Sequence, residues 1–130
     1  DKLRAGINSD LGFSELDRRE NLRRVAHIAK LFLEQNFVVI GSFISPLQTD
    51  RTLVKEIVGE KYYFEVFLDV SIDICRRRDP KGLYKKAAAG DLPNMTGIGQ
   101  EYEPPLKAEI VLDGTLELKA NTEIVLEIAK

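Results

Sequence analysis

The sequence predicts an α/β fold, a parallel sheet flanked by helices in three layers, and three observations carry that prediction. Short runs rich in β-branched and aromatic residues, FVVIGSFIS, YYFEVFLDV and AEIVLD, alternate with segments whose apolar residues recur at helical spacing. The first run is apolar almost throughout, as a strand covered on both faces must be, and such strands belong to parallel sheets. Helical segments lie between the runs, as parallel βαβ connections require.

Taken in order, SELDRRENLRRVAHIAKLFLEQN over 14–36 reads as one long helix. Ser14 is its N-cap with Asp17 three residues on, and Leu22, Val25, Ala26, Ala29, Phe32 and Leu33 form its apolar stripe. FVVIGSFIS over 37–45 is the first strand. Ser45 then opens S-P-L-Q, a capping box with Pro46 at the first helical position and Gln48 at the third, and a second helix runs to about Val58. YYFEVFLDV over 62–70 is the next strand, and SIDICRRR a short helix capped by Ser71. A break at Asp79-Pro80 leads into helical KGLYKKAAAG, and Gly, Pro and Asn make 91–105 a loop. AEIVLD is a last strand and ANTEIVLEIAK a closing helix.

The chain of 130 residues carries a net charge of −2 and a sequence pI near 5.5, so no global positive field draws it to nucleic acid or an anionic membrane. The charge is uneven: RRRDPKGLYKK, residues 76–86, sets Arg76, Arg77, Arg78, Lys81, Lys85 and Lys86 against Asp79 alone. A local anion site is the expectation; an RNA-binding patch is not, because only Tyr84 could stack on a base. One cysteine, Cys75, and one histidine, His27, exclude an intramolecular disulfide and a Cys/His zinc site, which fits a reducing cytoplasm. No apolar run approaches the roughly 18 to 20 residues of a membrane span. The chain begins at Asp1 in mid-pattern, and further sequence is expected upstream. In α/β folds ligands sit beyond the carboxyl ends of the strands, here SFISP, the LDV that precedes the basic segment, and LDG.

Taken together, RAGINSDLGFSELDRRENLRRVAHIAKLF, SFISP, DPKGLYKKA, NMTGI and YEPP resemble adenosine 5′-phosphosulfate (adenylylsulfate) kinases over essentially the whole chain. The resemblance implies a P-loop kinase fold, MgATP as phosphoryl donor, and transfer of the γ-phosphate to the 3′-hydroxyl of adenylylsulfate to give PAPS. It also implies an adenylylsulfate kinase domain over 1–130 with a lid at about 78–98. It admits a homodimer and fusion to or association with an ATP sulfurylase. No G-x-x-x-x-G-K-[ST] phosphate loop is present, so a βα unit carrying it is expected upstream. A rival reading is a non-catalytic nucleotide-binding domain that regulates an attached sulfurylase; an upstream phosphate loop, intact or ruined, separates the two.

The family's residue roles fall on this sequence as follows. Arg18 and Asn21, three apart on one helical face, hold the acceptor with Arg4 from the preceding loop, the guanidinium fork suiting phosphosulfate oxygens. Phe13, which a hydrophobic staple would also explain, stacks on the acceptor adenine, with Met95 of NMTG at the position of a second aromatic. Ile44 and Ser45 of FISP lie beside the acceptor. Asp1 is the surviving acid of the family's D-G-D-N motif, for catalysis and Mg²⁺. Cys75 and Arg78 match a C-x-x-R-D segment near the ATP base, although Cys75 also reads as a small buried hydrophobe. Lys81, then Lys85 and Lys86, project from roughly one side of the lid helix toward transferring phosphate, or form a solvated face. Asp69 is a weaker metal candidate, and His27 reads as structural.

Overall fold

The structure is a computed structural model that describes residues 2–92 and 94–128. The chain forms two compact units, Asp1–Tyr63 with Glu101–Pro104, and Phe64–Gln100 with Pro105–Lys130.

The first unit is helical. A single turn, α1 (Lys2–Ala5), precedes the long helix α2 (Glu15–Leu33) and then α3 (Gln48–Val58), which a 3₁₀ turn follows at Glu60–Tyr62. Helix α2 starts where Ser14 predicts: the Ser14 hydroxyl oxygen accepts the Asp17 N–H at 3.1 Å and the hydroxyl donates to Asp17 Oδ2 at 2.7 Å. It ends at Leu33 because Asn36 turns left-handed, at φ 61°, and the Phe37 N–H returns to the Phe32 carbonyl. The Phe32 and Phe37 rings close that end edge to face at 5.9 Å. Helices α2 and α3 pack together, burying Leu22, Ala26 and Val58.

The strand expected at 37–45 is not formed: no ladder pairs with it among the described residues. A run apolar on both sides needs cover on both faces, and here Val38 and Ile40 stand 70% and 76% exposed.

The second unit holds the parallel sheet. Strands β1 (Val66–Asp69) and β2 (Ile110–Asp113) pair in register, Val66 with Ile110 through Asp69 with Asp113. The 62–70 strand is shortened at its start because the Tyr62 N–H bonds back to the Gly59 carbonyl in the 3₁₀ turn. Helices α4 (Ile72–Arg78), α5 (Leu83–Ala88) and α6 (Leu118–Ile128) complete the unit. Ser71 occupies the N-cap of α4 through its carbonyl, with no side-chain cap bond. Among its described residues, the loop after residue 91 forms no strand and one isolated β-bridge, Thr96 with Gln100. No described helix is long and apolar enough to cross a membrane.

Gly114, just past β2, is buried, and its N–H bonds to the Asp69 carbonyl at 2.7 Å. A Cβ there would lie 2.7 Å from Val70 Cβ and 3.0 Å from the Asp69 oxygen, neither of which can rotate away. Gly114→Ala therefore parts the strand ends and is expected to cost about 1–3 kcal/mol, read as a lowered melting temperature of the full-length protein.

Candidate functional site

In the first unit the residues around LGFS converge. Arg4 lies on α1, not in a loop, and its Nη1 donates to the carbonyls of Leu11 and Gly12 at 3.2 and 2.8 Å. This carries its guanidinium carbon to 4.5 Å from the Phe13 ring centroid. Arg18, one turn into α2, donates from Nε to the Phe13 carbonyl at 3.1 Å, its guanidinium carbon 6.0 Å from the same ring. Phe13 itself is 62% exposed, so it presents aromatic surface to solvent beside two guanidinium groups. Burial, and next the positive charge of Arg4, lower the Arg18 pKa from its ordinary value, although a guanidinium keeps its charge. An exposed ring beside two cations suits a ligand that joins a flat base to an anion.

Asn21 is buried on the next turn, and its Oδ1 accepts from Nδ2 of Asn8, a residue with no exposed surface. Asn8 was not legible as a site residue; its partner lies 13 positions away and only the loop's fold joins them. That loop is held from outside by Arg24, which donates to the Ile7 carbonyl at 3.0 Å and to both Asp10 oxygens at 2.7 and 2.8 Å. Arg24 also meets Glu20 at 2.8 Å as an i,i+4 pair, while Arg23 donates to both Glu20 oxygens. These bonds, Arg23 first and then Arg24, hold Glu20 down to about 2 from its ordinary 4.5. Asp10 is lowered as well, chiefly by Arg24. A depressed carboxylate contributes stability that is present above its ordinary pKa and is lost as pH falls through its folded value. Stability of the full-length protein should therefore decline between pH 4.5 and about 2, with Glu20→Gln flattening the slope in acid titrations followed by circular dichroism. High salt should flatten it too, because the pair is exposed.

The FISP turn departs from the sequence expectation. Ser45 does not cap the second helix: its φ is 41°, a strained left-handed value for serine, and α3 begins at Gln48 with Leu47 as an uncapped flank. The cap comes from far along the chain, where Glu103 Oε2 accepts the Gln48 N–H at 2.6 Å. The Glu103 N–H in turn donates to the Pro46 carbonyl at 2.8 Å. Arg51, 5% exposed, donates to the Ser45 carbonyl (2.7 Å), Gln48 Oε1 (2.9 Å) and the Glu103 carbonyl (2.7 Å). The N-terminus of α3, where the helix dipole favours negative charge, thus already receives a carboxylate of the protein. Ile44 is 63% exposed beside this turn. Behind it, Asp50 is buried and meets Arg19 at 3.4 Å; burial raises its pKa more than Arg19 lowers it.

In the second unit the C-terminal ends of β1 and β2 open on a cleft of about 530 Å³ lined by Asp69, Ser71, Ile74, Val111, Asp113 and Thr115. Arg78 Nη1 donates to the Gly114 carbonyl at 2.8 Å. Asp79, at φ 20°, turns the chain and caps α5 with its carboxylate, which accepts the N–H groups of Tyr84 and Lys85. Lys81 precedes α5, so helical spacing does not align it with Lys85 and Lys86 as expected; all three are exposed. Cys75 is free and half-buried, and burial followed by the Cys75 thiol raises the Tyr84 pKa. Met95 is half-buried in a tight loop, its carbonyl accepting from Ile98, Gly99 and Gln100. His27 is exposed on α2. Asp1 lies outside the described residues, and among those described no group of three or more His, Cys, Asp or Glu side chains could hold a metal ion.

A parallel sheet whose strand ends open on a cleft, followed after β1 by a basic segment, makes this an α/β protein, an arrangement consistent with the P-loop kinase type. The family model for adenylylsulphate kinase matches residues 1–113, and the chain belongs to that family. It is 51% identical over 113 residues to the adenylyl-sulfate kinase of Bacillus velezensis, covering 87% of this chain and 57% of that protein. It is 54% identical over 114 residues to that of Klebsiella pneumoniae, covering 88% and 57%. The chain thus spans little more than half the length of these relatives. The APS kinase of Mycobacterium tuberculosis, solved in complex with AMPPNP and APS, superposes with a TM-score of 0.92 at 39% identity, covering 100% of this chain and 77% of that one.

Proposed function

We propose that the protein carrying this chain transfers the γ-phosphate of ATP to the 3′-hydroxyl of adenylylsulfate, forming PAPS and ADP. The observation that carries this reading is the exposed Phe13 ring flanked by Arg4 and Arg18, in a chain of this family. A flat adenine and a phosphosulfate are what such a cluster is built to hold. Arg4, Arg18 and Asn21 donate to the acceptor, Phe13 stacks on its base, and Ile44, Ser45 and Met95 complete the contacts. Cys75, Arg78 and Lys85 serve ATP, and Lys81 serves the transferring phosphoryl group. Asp1 is the proposed contact to Mg²⁺, which neutralises phosphate charge when bound. The 3′-oxygen bonds to the γ-phosphorus, the bond to the bridging oxygen of ADP breaks, and the hydroxyl proton leaves to a carboxylate or to solvent. Positioning and charge neutralisation supply most of the acceleration in such transfers.

A single free cysteine supports a reducing cytoplasmic setting. A homodimer and an association with ATP sulfurylase belong to the same proposal, and sedimentation of the full-length protein with and without the sulfurylase tests both.

The test of the reading is a coupled ADP-release assay on the full-length protein with and without adenylylsulfate. ADP release that ignores adenylylsulfate overturns it. Methionine packs on a π face less firmly than an aromatic ring, so Met95→Phe should tighten adenylylsulfate binding by roughly threefold to tenfold in a titration. An unchanged affinity would remove Met95 from the acceptor site.

A further inference from the structure

We infer that Arg51 and Glu103, neither of them a substrate-contacting residue in the reading above, are positioning residues that set the 45–48 turn and through it the acceptor contacts of Ile44 and Ser45. The inference rests on the proposed function. Three observations carry it. Ser45 holds a left-handed backbone that serine does not choose locally, at φ 41°, so something outside the turn must impose it. Arg51, 5% exposed, ties the Ser45 carbonyl and the Glu103 carbonyl to one guanidinium and adds Gln48 Oε1. Glu103 closes the loop of bonds from its own side, donating its N–H to the Pro46 carbonyl and accepting the Gln48 N–H on Oε2.

A planar fork that bonds two main-chain carbonyls cannot be replaced by an ammonium, which lacks the fixed spread of donors. The Glu103 carboxylate also takes up the exposed N–H of Gln48 at the start of α3. The acceptor's charge is then left to Arg4 and Arg18, while the turn supplies shape. Within the first unit, residues of the FISP and YEPP segments thus form one hydrogen-bonded clasp.

Equilibrium titration of the full-length protein with adenylylsulfate and, separately, with AMPPNP tests this, on wild type, Arg51→Lys, Glu103→Ala and Glu103→Gln. Loss of the charged hydrogen bonds predicts adenylylsulfate affinity weakened roughly tenfold in Arg51→Lys and Glu103→Ala, with AMPPNP affinity held within about twofold. Glu103→Gln keeps an oxygen for the Gln48 N–H and should stay within about threefold of wild type, and amide exchange at Gln48 should quicken only in Glu103→Ala. Equal losses for both ligands, no loss for either, or a Glu103→Gln variant as weak as Glu103→Ala overturns the inference. If Arg51→Lys fails to fold, the two Glu103 variants decide alone. A wild type that does not bind adenylylsulfate overturns the proposed function and this inference together, whereas wild-type binding matched by the variants overturns only the inference.

Discussion

Arg18→Ala is expected to weaken adenylylsulfate binding by roughly 10²-fold, because hydrogen bonds to a charged group contribute about 1.5–3 kcal/mol each and at least one is lost. The side chain does two things at once in the structure. Its Nε anchors the Phe13 carbonyl at 3.1 Å, and its charge lies beside Arg4 over the same ring. On the proposed function, truncation removes a donor to the acceptor's anion and loosens the Phe13 platform proposed for its base. Arg18→Lys should recover no more than about tenfold, since an ammonium restores charge but not the bidentate fork. Titration with adenylylsulfate measures both variants. An affinity of Arg18→Ala within threefold of wild type would remove Arg18 from the acceptor site.

Lys81→Ala is expected to lower kcat by roughly 10²–10³-fold with little change in the KM for adenylylsulfate, the range found when one preorganised donor to developing charge is removed. Lys81 follows the Asp79-Pro80 turn, and Asp79 is fixed by its bonds to the N–H groups of Tyr84 and Lys85, so the segment that carries the ammonium is shaped. Arg77→Ala, on the exposed face of α4, removes the same net charge and serves as the control. Steady-state kinetics decide: equal effects of the two substitutions would reduce the role of Lys81 to bulk electrostatics.

Much of the fold was legible because its signals are local. Ser14 and Asp17 mark the start of the long helix within four residues, and the apolar spacing from Leu22 to Leu33 marks its length. The alternation that names the class survives in the parallel pair Val66–Asp69 and Ile110–Asp113. The FVVI run was legible only as a strand that needs cover, and the described residues do not supply that cover. Of the site, Arg4, Phe13 and Arg18 stood out through the family motif, and the structure brings those three together.

The sequence by itself determined the class, the family and the residues that bear charge and aromatic surface, since composition, spacing and motif are properties of short stretches of chain. Only the tertiary structure decided how the FISP turn is made. Serine, proline and glutamine at 45, 46 and 48 spell a capping box, yet a carboxylate 55 residues away takes the Gln48 N–H and a buried arginine draws the Ser45 carbonyl out of the capping geometry. Likewise Asn8 meets Asn21 only after the intervening loop is closed by Arg4 and Arg24. A hydrogen bond forms wherever a donor and an acceptor are brought within about 3 Å, and over such separations that distance is set by the path of the folded chain.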